Sequence, residues 1–89
     1  MNNPPSNLTR LEYWAEIVGP YMGNYRINRM IYFKIGNWTL EFVDDTKETE
    51  ILRSKLKDEF VGHSVGILRT KFIDTPLLVR IIPGDRSNK

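Results

Sequence analysis

The sequence predicts an α+β domain in which two β-hairpins form an antiparallel four-stranded sheet and both helices pack on one face, in the order α-β-β-α-β-β. Three observations predict it. Two six-residue runs flank Gly36-Asn37 and sort cleanly into an apolar and a mostly polar face. A stretch after Asp45 spaces its apolar residues as a helix does. Two apolar runs, 63–70 and 77–82, match each other in register. If the first segment is a strand, the alternative is a five-stranded, barrel-like sheet with one helix.

Residues 1–6 contain Pro4-Pro5, are otherwise mostly polar, and read as a flexible tail; residues 7–83 form one domain, and 84–89 form a second tail. Residues 10–18 read as a helix, capped by Asn7 or Thr9, with Thr9 and Glu12 as a capping box and Gly19-Pro20 as the stop. Leu8, Leu11, Trp14, Ala15 and Val18 would share its apolar stripe. A strand is the competing reading, because Leu11, Tyr13, Ala15 and Ile17 alternate with polar residues. Gly23-Asn24 repeats the Gly36-Asn37 phrase but fails as a turn. Pairing about it sets Glu16 against Ile31 and puts Pro20 inside the ladder, where it removes a donor.

Residues 25–35 alternate as one long strand. A two-residue turn at Gly36-Asn37 sets Ile35 opposite Trp38, Phe33 opposite Leu40 and Ile31 opposite Phe42. Lys34 then faces Thr39, Tyr32 faces Glu41 and Met30 faces Val43 on the other side. A slip of one residue would destroy this sorting. The three apolar pairs contribute about 1–3 kcal/mol together. Arg29 and Asp44 are expected to close the open end as an ion pair, worth ~0.5 kcal/mol.

Asp45 or Thr46 caps a second helix running to about Phe60, with Ile51, Leu52, Leu56 and Phe60 on its buried stripe and Gly62 as its stop. In the last hairpin Ile67 pairs with Val79 and Val65 with Ile81, which brings Arg80 beside Gly66. Gly66 then permits a bulge or the close approach of another segment. The 77–82 run is apolar except for Arg80, the pattern of a strand covered on both faces.

Composition narrows the function. The chain has 89 residues, 40% hydrophobic and 27% charged, enough for one domain with a thin stability margin. There is no cysteine, so disulfides, zinc–thiolate sites and thiol nucleophiles are excluded. No apolar run approaches the roughly 18 residues that span a bilayer, and the start does not resemble a signal peptide. A cytoplasmic setting is expected. Net charge is +2, split as −1 over residues 1–45 and +3 over 46–89.

Chemistry-bearing patterns are sparse. His63 is the sole histidine, and its neighbour Ser64 points to the opposite face of a strand, so the two form no nucleophile–base pair. Asp44, Asp45, Glu48 and Glu50 suit a helix start better than a cation loop. The run from Gly62 to Gly66 lacks the spacing of a phosphate loop. No enzyme, metal or cofactor is expected.

Two binding surfaces are expected instead. Tyr13, Trp14, Tyr21, Met22 and Tyr25 crowd the first third of the chain and form a candidate protein-interaction patch. Tyr32, Lys34, Arg69, Lys71 and Arg80, with Arg86 and Lys89, form a candidate nucleic-acid face of aromatic and basic residues. The leading expectation is a non-catalytic module that binds a protein partner or itself, with no membrane contact. The alternative is a small nucleic-acid-binding domain.

Overall fold

The structure, a computed structural model, describes residues 8–83. Its elements are β1 (Glu16–Ile27), β2 (Met30–Ile35), β3 (Trp38–Val43), α1 (Lys47–Lys55), a 3-10 turn (Asp58–Phe60), β4 (Ser64–Arg69) and β5 (Leu77–Ile81). The strands form a single antiparallel sheet in the order β3-β2-β1-β4-β5. This corrects the four-stranded sheet with two helices on one face. The sheet has five strands and there is one α-helix among the described residues, as in the alternative reading, but β3 and β5 are edges that do not pair with each other, so it is not the barrel-like sheet that reading named. The tails at 1–6 and 84–89, with Asn7, Arg86 and Lys89, lie outside the described residues.

The correction comes from the first segment. Residues 8–15 are irregular, and the chain turns at Tyr13-Trp14 before β1 begins. No helix covers 10–18. Of the expected stripe, Leu11 is buried, whereas Trp14 and Val18 are exposed. Long-range pairing overrides local helical preference here, because β1 has partners on both sides. Its first half pairs with β4, from Glu16 opposite Leu68 to Pro20 opposite Ser64. Its second half pairs with β2, from Tyr21 opposite Ile35 to Ile27 opposite Met30.

A bulge between Tyr21 and Gly23 marks the handover, and Gly23 sits there at φ +108°. The Gly23-Asn24 dipeptide is thus part of a strand and not a hairpin turn. Pro20 is tolerated because its carbonyl accepts from Gly36 N at 2.8 Å, which turns its missing donor away from β4. The long strand expected over 25–35 is broken by a turn at Asn28-Arg29, with Asn28 at φ +56°.

Both predicted hairpin registers are observed. Ile35–Trp38, Phe33–Leu40 and Ile31–Phe42 face each other across β2 and β3. Val65–Ile81, Gly66–Arg80 and Ile67–Val79 do so across β4 and β5. Strand β5 is, however, an edge strand, not one covered on both sides: Leu77 is buried while Leu78 and Arg80 are exposed. Arg29 does not close the first hairpin with its side chain. Asp44 instead binds Arg26 at 3.0 Å and Arg53 at 3.7 Å, while its backbone N donates to Arg29 O.

One core lies between the sheet and α1. It holds Ile17 and Tyr21 of β1, Ile31, Phe33 and Ile35 of β2, Leu40, Val65, Ile67 and Leu77, closed by Leu52 and Leu56 of the helix and by Leu11. Thr46 caps α1 by accepting from Thr49 N and donating to Val43 O. The helix packs against both edge strands, β5 and β3, and Thr9 N donates to Thr39 O on β3. Both edges are therefore partly covered, which limits edge-to-edge pairing.

Candidate binding surface

The ten candidate residues do not form two surfaces. The fold sends Tyr21 to the core, sorts the other nine into three places and buries Tyr32 among them. Tyr21 is fully buried, and its phenol oxygen accepts from Asn24 Nδ2 at 2.6 Å, so it leaves the interaction patch for the core. Burial raises its pKa, opposed by the Asn24 hydrogen bond and reinforced by the charge of Asp58.

The first place is the outer face of β1, β2 and β3. Tyr25 lies opposite Tyr32, and their rings stack at 5.2 Å. Tyr32 is only 1% exposed, because Tyr25 covers it and its hydroxyl donates to Glu41 Oε2 at 2.9 Å. Burial pushes the Tyr32 phenol above its usual pKa, and the adjacent Glu41 carboxylate pushes it further. Lys34 lies in the next row, opposite Gly23 and Thr39. Met22 is exposed at the bulge.

The second place holds Arg80. It lies opposite Gly66, and Val18 of β1 lies opposite Gly66 on the other side. Val18 is seven residues before Tyr25 along β1, about 23 Å at strand rise. Arg80 therefore does not converge with Tyr32. It is also engaged: its guanidinium donates to both oxygens of Glu16, at 2.8 and 3.2 Å. That bond holds the Glu16 carboxyl below its ordinary pKa and raises the guanidinium's.

The third place joins the two expected sets. Residues 8–15 and the β4–β5 loop bring Tyr13 and Trp14 against Arg69 and Lys71. The Arg69 guanidinium lies 4.1 Å from the Tyr13 ring centre, and Lys71 Nζ lies 5.2 Å from it. Arg69 also donates to Leu11 O at 2.9 Å, and Trp14 N donates to Arg69 O, so the strand holds the irregular segment in place.

Two further residues belong here that sequence reading left in a loop. Phe72 meets Trp14 edge to face at 5.5 Å, and Ile73 stands beside it. Trp14, Phe72 and Ile73 are 53%, 57% and 89% exposed. The loop is not a loose excursion. Thr70 is buried, donates to Thr75 O at 2.6 Å and accepts from Phe72 N at 3.0 Å, while Thr70 N donates to Pro76 O at 2.8 Å. These bonds fix the loop base and present Phe72 and Ile73 outward. A Phe-Ile pair inside a polar loop was the signal available in the sequence.

Among the described residues, no group of three or more His, Asp or Glu is arranged to hold a metal ion. The acidic run at 44–50 is used structurally, through the Asp44 ion pairs and the α1 start. His63 packs edge to face on Phe60 at 5.6 Å, and its backbone bonds to Tyr21 and Phe60. No helix among the described residues is long and apolar enough to cross a membrane. Comparisons with protein-family models, curated proteins and solved structures return no match.

Proposed function

We propose that this protein is a non-catalytic interaction module that docks a protein partner, or a second copy of itself, through the end formed by Tyr13, Trp14, Phe72 and Ile73. The observation that carries this reading is the grouping of three large, exposed apolar side chains on a hydrogen-bonded loop and a strand-anchored segment. Exposing such residues together costs solubility, whereas at an interface aromatic anchors supply most of the binding energy. Trp14 adds to this, since it holds a left-handed backbone at φ +65°, a conformation disfavoured for a bulky residue.

The test is a Phe72→Ser/Ile73→Ser variant, compared with wild type by sedimentation across concentration and by partner recovery from cell extract. Loss of self-association or of one partner, with the melting temperature kept, supports the reading. Equal recovery by both proteins overturns it.

A second reading rests on the exposed Tyr25 ring, which covers the buried Tyr32, beside Lys34, since aromatic and basic groups on a sheet face suit single-stranded nucleic acid. Oligonucleotide titration at low salt separates the two, and any such binding is expected to weaken steeply as salt rises. Absence of oligonucleotide binding at low salt removes this second reading.

A further inference from the structure

The docking end continues into a groove. One hollow, about 780 Å³, runs between the β3 edge at residues 40–43 and residues 8–11. A second, about 520 Å³, lies between Tyr13, the start of α1 and the β4–β5 loop. Arg69 and Glu48 line both, so the two hollows adjoin. Leu11, Leu40 and Leu77 line the groove but belong to the core and have little exposure; its accessible apolar side chains are Leu8, Val43, Phe72 and Ile73. Its charged lining is uneven: Arg10, Lys47, Arg69 and Lys71 face Glu41 and Glu48. None of the four cations is in an ion pair with a carboxylate among the described residues, and Glu41 already accepts from Tyr32.

From this charge imbalance we propose that the groove seats an extended acidic peptide segment of a partner protein, its apolar side chains against Leu8, Val43, Phe72 and Ile73 and its carboxylates toward Arg10, Lys47 and Lys71. The proposal rests on the docking end being an interaction surface. A peptide is favoured over a nucleic acid because Arg69 and Lys71 already crowd the Tyr13 ring on which bases would otherwise stack. Extended peptides match an elongated groove with alternating apolar and charged contacts.

A random peptide library displayed on phage tests this on the whole protein. Enriched sequences are expected to combine Asp or Glu with large apolar residues. By fluorescence anisotropy, such a peptide should lose about tenfold or more in affinity to an Arg10→Glu/Lys71→Glu variant, and should bind more weakly as salt rises. A Lys47→Glu variant gives the same reading from α1 if the double variant is unstable. Enrichment of uncharged or basic sequences, no enrichment, or equal binding by the charge-reversed variants overturns the proposal. So does displacement of the peptide by a thymidine oligonucleotide at similar concentration, which would mark a general polyanion site. If Phe72→Ser/Ile73→Ser abolishes binding while charge reversal does not, the docking end stands and the acidic-partner inference falls.

Discussion

A Cβ added at Gly66 would lie 2.6 Å from Glu16 Oε2 and 3.0 Å from Arg80 Nε. The ion pair between β1 and β5 crosses directly over the β4 backbone, and glycine is what leaves room for it. Gly66→Ala is therefore expected to displace the pair and lower the melting temperature by about 2–4 °C. In a Glu16→Ala background the same change should cost less, because the nearest atom is gone; equal costs in both backgrounds would remove the steric explanation. The sequence showed Arg80 beside Gly66 and a close approach there. It did not show Glu16, because that residue sat on an expected helix. Trp14 is the other informative position. Its turn uses φ +65°, so Trp14→Gly relieves backbone strain while removing the Phe72 contact. These effects are each about 1 kcal/mol and of opposite sign. Stability by urea unfolding should stay within about 1 kcal/mol of wild type, while partner binding falls; a large destabilisation would make Trp14 a structural residue.

The hairpins at Gly36-Asn37 and 70–76 were legible because each has one face that must be buried, so only one register sorts the side chains. Gly36 takes φ +58°, Asn37 does not take a positive φ, and Gly36 N is bonded to Pro20 O. Valine at 36 would be strained at that φ and is expected to cost about 1–2 kcal/mol by urea unfolding; unchanged stability would contradict the turn geometry. Two other elements were not legible. A two-residue turn at Asn28-Arg29 reverses the faces without interrupting alternation, so Tyr25 and Ile27 looked continuous with Ile31 although they lie on the outer side. Strand β1 was hidden because its partner β4 is distant in sequence, its hairpin with β2 closes at the Asn28-Arg29 turn, and its bulge shifts the phase at Tyr21/Gly23. Local spacing over 10–18 fitted a helix nearly as well as a strand, and pairing decided between them.

At the scale of the molecule, a single strand, β1, decides both architecture and site. Once it bridges β4 and β2, Tyr21 enters the core, Arg80 moves far from Tyr32, and the segment before it lies against Arg69. No composition argument reaches that rearrangement, since the residue types are the same in either fold. Groups on β1 and β2 also contribute to the pH dependence of stability. Glu16 has a lowered pKa in the fold, so its contribution is complete above the ordinary glutamate value of about 4.3 and is lost as pH falls through the lowered value. Tyr21 and Tyr32 have raised values, so the neutral phenols are favoured by folding. Their contribution is complete below the ordinary tyrosine value of about 10. Above it the unfolded chain ionises first, and stability declines as pH rises toward the folded values. Urea unfolding across pH should therefore give a plateau with an alkaline decline. Tyr21→Phe/Tyr32→Phe should flatten that decline even though it removes the hydrogen bonds to Asn24 and Glu41 and lowers the plateau. Glu41→Gln should bring the Tyr32 phenol down in a spectrophotometric titration while burial still holds it above its ordinary value. An alkaline decline of unchanged steepness in the double phenylalanine variant would show that the two buried phenols do not govern that limb.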